Sequence, residues 1–486
     1  MAAKAFMVQG TGSNVGKSML VAGLCRHFTN QGLKVRPFKP QNMSNNAAVT
    51  INGGEIGRAQ ALQALACRTA PHTDMNPVLL KPEGETGSQL IVNGQRHGSY
   101  KAKEFYKLKA GLMTPVMEAF NRLKAQCDLV IVEGAGSASE INLRANDIAN
   151  MGFALKADIP VYIAGDIDRG GIIAALVGTH AVLPPEERAL IKGFIINKFR
   201  GDPDLFKEGA ELIADKTSWQ SLGICPWFKK AAMLPAEDSQ DLQSTLAITA
   251  RGTIKNKLTI AVPLLPRIAN FDDLDPIKAE PDVELLLIPQ NTIIPNDCDL
   301  IILPGSKATL SDLEALRQEG WDIDIASHLR RGGHLLGICG GFQMLGKAIY
   351  DPEGLEGPAS QGTGLGHLNS ETTLGPRKQL SETEAVYLKH GVKVSAYEMH
   401  MGKTSGPAMA APLFEINGQP EGACSENGKV MGTYLHGLFA NDAFRTSFLS
   451  QIKSREASQL TYKNSVEQTL DELAAHLNNH LNLSAL

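Results

Sequence analysis

The run Gly10-Thr11-Gly12-Ser13-Asn14-Val15-Gly16-Lys17-Ser18 constrains this chain more than any other stretch. The apolar run 5–10 leads straight into it, and a segment with helical spacing, Gly16 to Gln31, follows. A strand that turns on glycines into a helix presents backbone amides at the positive end of the helix dipole, and a phosphate needs that setting. There Lys17 is placed to neutralise β/γ-phosphate charge and the Ser18 hydroxyl to ligate Mg²⁺. The spacing departs from G-x-x-x-x-G-K-[ST]: Thr11 stands where the first glycine belongs, and Gly10 lies one position further back.

A strand–loop–helix opening commits the chain to βαβ units, and the pattern continues that way. Apolar runs at 33–39, 128–134, 159–165 and 191–198 read as strands, with helical spacing between them, as in Ile56 to Thr69. Strands separated by helices imply a parallel sheet covered on both faces. Near 234–243 the pattern dissolves into polar residues. A second alternation then begins with 258–266, 283–289, 299–306, 334–341 and 429–439. The 486 residues exceed what one core usually holds. The expected organisation is an α/β domain over 1–235, a linker over 236–257, a second α/β domain over 258–450 and a helical tail over 451–486.

Composition narrows the class. The 47 Lys and Arg against 51 Asp and Glu leave a net charge of -4, which argues against a general nucleic-acid binder. The seven cysteines are scattered and include no C-x-x-C pair, so neither a disulfide framework nor a cysteine zinc site is expected. The N-terminal apolar run enters the glycine loop directly and reads as a buried strand rather than a secretion signal. No apolar run reaches the ~18 residues of a membrane helix. A cytoplasmic enzyme with no membrane partner is expected, and an oligomer is compatible with the sequence.

The second constellation is His334-Leu-Leu-Gly-Ile-Cys339-Gly340-Gly-Phe-Gln-Met-Leu-Gly346, a strand, sharp turn and helix. A nucleophile on such an elbow needs small neighbours because the turn crowds the backbone. The helix N-terminus favours an anionic sulfur. The amide of Gly340 forms one half of an oxyanion hole, and the turn at Gly305 in Leu303-Pro-Gly-Ser-Lys307 offers the other. His436 in Tyr434-Leu-His-Gly-Leu-Phe439 is the base candidate.

These motifs resemble two known families. The phosphate loop is similar to the dethiobiotin-synthetase-like branch of P-loop enzymes. That resemblance implies a Mg²⁺ role for Glu133, at the end of an apolar strand, and an adenine-reading role for Asn197. Glu55 is a weaker candidate for a second acidic ligand. The Cys339, Gly305 and His436 constellation resembles class I glutamine amidotransferases, which implies a C-terminal amidotransferase domain using glutamine as ammonia donor. In that family a glutamate follows the histidine by two positions, and here Leu438 stands there. The missing carboxylate matches the cobyrinic and cobyric acid synthase branch, which looks like a Cys-His dyad. What orients the imidazole is left open, with Glu398 a possible substitute.

The stretches 38–47, 53–64, 133–143, 166–171, 196–202, 265–277 and 397–402 extend the likeness to the cobyric acid synthase family over nearly the whole chain. The resemblance implies ATP- and glutamine-dependent amidation of the b, d, e and g carboxylates of adenosylcobyrinic acid a,c-diamide, each activated as an acyl phosphate. It also implies a protected ammonia route between the sites. Polar candidates for holding the large anionic corrinoid are Gln41, Asn42, Ser44, Asn45, Arg144, Asp147, Asp168 and Arg169. Two rivals stand: another glutamine-dependent ligase, such as an a,c-diamide synthase or a cell-wall amidating enzyme, and a non-enzymatic regulatory ATPase.

Overall fold

The computed structural model describes residues 3–83, 87–235, 257–357 and 359–486. The expected linker 236–257 lies, apart from Lys257, outside the described residues. The chain forms two compact units: Met1–Ser44 with Thr50–Glu237 and Val466–Leu486, and Asn45–Val49 with Asp238–Ser465. The stretch expected as a separate tail is therefore divided. A helix Tyr462–His480 crosses into the first unit, where Arg26 pairs with Glu467 at 2.6 Å and the Tyr162 hydroxyl donates to Ala485 O at 2.9 Å.

In the first unit the apolar runs become strands β1 (Lys4–Gly10), β2 (Val35–Phe38), β3 (Leu129–Glu133), β4 (Val161–Asp166) and β5 (Ile191–Phe199). A further strand, β6 (Gln220–Pro226), completes a six-stranded sheet in the order β6-β5-β4-β1-β3-β2. All its pairings are parallel. β3 and β4 are buried at every residue, as continuous apolar strands between two helical layers must be. Helix α1 (Lys17–Asn30) follows the glycine loop, and α2 (Arg58–Ala66) packs against it. A smaller sheet of Gln41–Met43, Val78–Pro82, Gly87–Val92 and Gln95–Lys101 was not legible as such, because its short strands alternate too little.

The second unit holds β7 (Leu258–Pro263), β8 (Val283–Ile288), β9 (Leu300–Leu303), β10 (His334–Ile338) and β11 (Val430–Thr433), parallel in the order β8-β7-β9-β10-β11. Beside it lies an antiparallel sheet built on the hairpin Glu371–Tyr387 and Val392–Ser405. The run 429–439, expected as one strand, breaks at Tyr434. Residues up to Thr433 stay in the parallel sheet, while Leu435–His436 joins the antiparallel one through Tyr397↔His436. The corner is possible because buried polar groups satisfy its backbone. Glu421 accepts from Tyr434 N and from Thr433 Oγ1, both at 2.7 Å, and Thr433 Oγ1 accepts from Leu435 N at 3.0 Å. Burial pushes the Glu421 carboxyl up to about 7. Among the described residues no helix is long and apolar enough to cross a membrane.

Arg445 fastens the segment after His436. Its fully buried guanidinium binds Glu280 at 2.5 Å and donates to Phe439 O at 2.8 Å and Leu460 O at 2.9 Å. Truncating it removes one of the two guanidinium partners of Glu280, whose other oxygen stays on Arg455 at 2.5 Å, and leaves the Phe439 and Leu460 carbonyls open, so Arg445→Ala is expected to cost about 1–3 kcal/mol. Urea unfolding checks this: the midpoint for the C-terminal unit should fall, and an unchanged midpoint contradicts the assignment.

Candidate functional site

Cys339 caps the short helix Gly340–Leu345 at φ 53° and ψ −108°. A non-glycine residue pays strain there, and the surroundings must over-determine it. Cys339 N donates to Thr433 O at 2.8 Å, and Cys339 O accepts from Gln343 N at 3.1 Å. The elbow also needs its glycines. A Cβ on Gly341 would lie 2.1 Å from Leu303 O, and one on Gly340 would lie 2.8 Å from Ser306 N. The turn thus presses against the strand Gly305–Ser306, and a Cβ on Gly305 would lie 3.3 Å from His436 Cε1. Cys339, Gly340, Gly305 and His436 converge at one place in the second unit. The thiol, nearly buried, points at Met399 O at 3.6 Å.

His436 has a carboxylate partner that linear spacing did not reveal. Its Nδ1 donates to Asp273 Oδ2 at 2.6 Å, and Gly437 N donates to Asp273 Oδ1 at 2.6 Å. Nδ1 being taken, the other ring nitrogen is left for Cys339, which is a hydrogen-bond partner of the imidazole. Tyr397 stacks on the ring at 5.2 Å, its hydroxyl accepting from Asn270 Nδ2 at 2.9 Å. Burial opposes the imidazolium, yet the charge and hydrogen bond of Asp273, joined by Cys339, push its pKa up to about 10. Glu398, considered above for this role, pairs instead with His400 at 3.5 Å. Strand alternation explains why: Tyr397 is the residue facing His436, so its neighbour Glu398 points to the other side. Asp273 sits on the one-turn helix Phe271–Leu274. Its stretch, PRIANFDD, stood out in the sequence, but nothing in the spacing ties residue 273 to residue 436.

In the first unit the glycine loop closes around Lys17, whose Nζ donates to Gly12 O at 2.9 Å and Gly136 O at 3.0 Å. The displaced glycine has a physical reason. A Cβ on Gly10 would lie 2.7 Å from Val15 Cγ2 and 3.0 Å from Lys17 Nζ, so the longer loop still needs glycine there. Thr11, Ser13 and Asn14 carry the loop between, with Asn14 at φ 58°. Ser18 Oγ lies 2.7 Å from Glu133 Oε1, an all-oxygen pair suited to a hard divalent cation. Glu133 is fully buried and also binds Lys39 at 2.8 Å and Gln63 at 2.5 Å. Lys39 and Gln63 were not singled out, although a lysine just past the end of β2 is a detectable signal. Among the described residues no group of three or more His, Cys, Asp and Glu side chains forms a metal cluster. Glu55, buried, carries the ammonium of Lys81 on its carboxylate.

Asn197 donates from Nδ2 to Val15 O at 2.8 Å and so braces the loop from β5. The remaining candidates separate. Asn42 connects through Gln60 at 2.9 Å toward Glu133, 3.5 Å beyond. Gln41 Oε1 and Asn45 Oδ1 are buried without a hydrogen-bond partner among the described residues. Ser44 N donates to Leu80 O, and Asn45 belongs to the other compact unit. Arg144 pairs with Asp147 at 2.7 Å, while Asp147 accepts from the amides of Ala149, Asn150 and Gly152 and ties the next helix to the loop after β3. Asp168 binds Arg200 at 2.6 Å, and Arg169 is exposed, 3.8 Å from Asp166.

The Asp273–His436 pair has a pH signature. A histidine held at about 10, above its ordinary 6.5, contributes stability that is complete below pH 6.5 and lost as pH rises through about 10. The melting temperature of Asp273→Asn should therefore lie furthest below that of the unaltered protein near pH 6, with the gap narrowing toward pH 10. A gap independent of pH would contradict the pairing.

Comparison with known proteins agrees with the expected fold class of both halves. Residues 6–241 match the CobQ/CobB/MinD/ParA nucleotide binding domain, and residues 259–444 match the CobB/CobQ-like glutamine amidotransferase domain. Proteins named cobyric acid synthase are similar over the full length: 56% identity with that of Jannaschia sp. (strain CCS1), covering 99% of this chain and 98% of that one. The Brucella suis (strain ATCC 23445 / NCTC 10510) protein is 56% identical over 100% of this chain and 99% of its own. The Bradyrhizobium diazoefficiens protein is 54% identical with the same coverage. A phosphate-loop unit and a thiol amidotransferase unit in one polypeptide, alike from end to end with these enzymes, define a glutamine-hydrolysing ligase: the chain belongs to the cobyric acid synthase family.

Proposed function

We propose that this enzyme uses ATP and glutamine to amidate the b, d, e and g carboxylates of adenosylcobyrinic acid a,c-diamide, giving adenosylcobyric acid in cobalamin biosynthesis. The observation that carries the reading is 56% identity over 99% of the chain to a protein named for that product. The site geometry supplies the chemistry.

Cys339 attacks the side-chain amide of glutamine, and the amides at Gly340 and Gly305 face the developing oxyanion. The imidazolium of His436, steadied by Asp273, protonates the departing nitrogen, and ammonia leaves a thioester for water to hydrolyse. In the other unit the loop amides and Lys17 bind the ATP phosphates. Ser18 and Glu133 are the residues that would hold Mg²⁺ here, and the ion would supply charge neutralisation to the phosphates. The acceptor carboxylate takes the γ-phosphoryl group of ATP as ADP leaves, and ammonia displaces phosphate from the acyl phosphate to give the amide. Lys39 adds a second fixed cation beside Glu133, where an anionic acceptor and the transferred phosphoryl group both need one. Gln41 Oε1, buried in the first unit with no hydrogen-bond partner among the described residues, is an acceptor of the kind that the amides of a polyamide product would satisfy.

Mass spectrometry of products from the a,c-diamide, ATP and glutamine tests the reading. Four successive single-amidation steps are expected. Amidation confined to the a and c positions of cobyrinic acid would make this an a,c-diamide synthase, and corrinoid-independent ATP turnover alone would make it a regulatory ATPase. Cys339→Ser should lose glutamine-dependent amidation and keep the ammonia-dependent reaction, whereas Lys17→Ala should lose both. Asp273→Asn should lower glutamine-dependent turnover by about 10²–10⁴-fold, by analogy with loss of a triad carboxylate, with ammonia-dependent turnover intact. Equal losses with both nitrogen sources would contradict this division of labour.

A further inference from the structure

The two flanks of the phosphate loop differ in chemistry. On the β3 and β2 side stand Glu133, Ser18 and Lys39, the charges that suit a cation and a transferred phosphoryl group. On the β5 side the contacts are of another kind. Asn197 Nδ2 holds Val15 O at 2.8 Å, the Lys198 ammonium donates to Asn14 O, and a Cβ on Gly16 would lie 2.4 Å from Asn197 Nδ2. A nucleotide whose terminal phosphate meets Glu133 therefore extends its other end toward the tips of β5 and β6.

At those tips stands an aromatic platform. Trp227 follows β6 directly, and its amide donates to Phe199 O at 2.8 Å. Its neighbour Phe228 packs on His476, with ring centroids 5.3 Å apart. The Arg200 guanidinium lies 3.9 Å over the indole, and Lys198 Nζ lies 5.9 Å from the same ring. Asp168 binds Arg200 through Nε at 2.6 Å and through the second nitrogen at 3.3 Å, and the two contacts orient the guanidinium plane. Trp227 is 38% exposed, while Trp219 and Trp321 are 4% and 0% exposed. An exposed indole layered with an anchored guanidinium, beyond the non-catalytic flank of a phosphate loop, has the form of a base-stacking surface.

We infer that the Arg200–Trp227 layer seats the purine ring of the bound nucleotide, with Asp168 acting as a positioning residue through Arg200. This rests on the reading of the first unit as an ATP site. It separates the base end, built on flat π surfaces, from the phosphate end, built on amides and charges. Purines then bind better than pyrimidines because they offer more stacking area.

Tryptophan fluorescence and calorimetry on the full-length protein test the inference. Adenylyl imidodiphosphate with Mg²⁺ should quench the emission of the unaltered protein, and inorganic tripolyphosphate should not. Trp227→Ala should bind adenylyl imidodiphosphate about tenfold more weakly while its affinity for tripolyphosphate is unchanged. Trp227→Phe should keep the affinity and lose the quench, and UTP should bind the unaltered protein more weakly than adenylyl imidodiphosphate. Equal affinities of Trp227→Ala and the unaltered protein for adenylyl imidodiphosphate would overturn the platform and leave the ATP reading standing. Failure of the unaltered protein to bind either the nucleotide or tripolyphosphate would overturn the ATP reading, and the platform with it.

Discussion

Parallel pairing is the constraint on which everything else hangs. When all strands of a sheet run the same way, their carboxyl ends gather along one edge, and the loops leaving that edge are the only ones free to carry chemistry. Gly10 ends β1, Glu133 ends β3, Lys39 follows β2, Asn197 lies near the end of β5 and Trp227 follows β6. In the second unit Gly305 lies just past β9, Cys339 follows β10, and the Tyr434 corner follows β11. Both sites are consequences of the same ladder geometry applied twice. The glycines at 10, 16, 340 and 341 are among the places where that edge is too crowded for a Cβ.

This explains what the sequence makes legible. Continuous apolar runs ending in Gly, Glu-Gly or Cys-Gly-Gly mark buried parallel strands and their functional tips at once, because burial on both faces removes the alternation that would otherwise blur them. The ten strand readings therefore located β1–β5 and β7–β11, the strands of the two parallel sheets apart from β6. The small sheet around Gln41–Met43 was missed because its short strands leave too little pattern. The break at Tyr434 was missed because a buried glutamate from residue 421 makes it possible, and no local signal announces a partner thirteen positions away.

Asp273 is the sharper instance. The histidine lacks the glutamate that usually follows it, and a dyad is the natural reading of that gap. The fold instead brings a carboxylate from a one-turn helix more than a hundred and sixty positions earlier. The requirement is physical rather than sequential. A buried imidazole that must hold a proton needs a counter-charge, and an unpaired one would be driven neutral by desolvation. Asp273 meets that need with one oxygen on the ring and the other on the Gly437 amide, so it fixes ring and backbone together.

The return of Val466–Leu486 to the first unit bears on how the molecule is made. Gly223 on β6 bridges Leu481, and Asn482 N donates to Leu222 O at 2.7 Å, so a stretch synthesised after the whole second unit shields the outer strand of the first sheet. A ribosome delivers β1 through β6 early, yet that rim stays an open template for stray pairing until the residues beyond 465 emerge. Vectorial synthesis thus leaves the outer strand of the nucleotide half exposed until the last residues of the chain arrive.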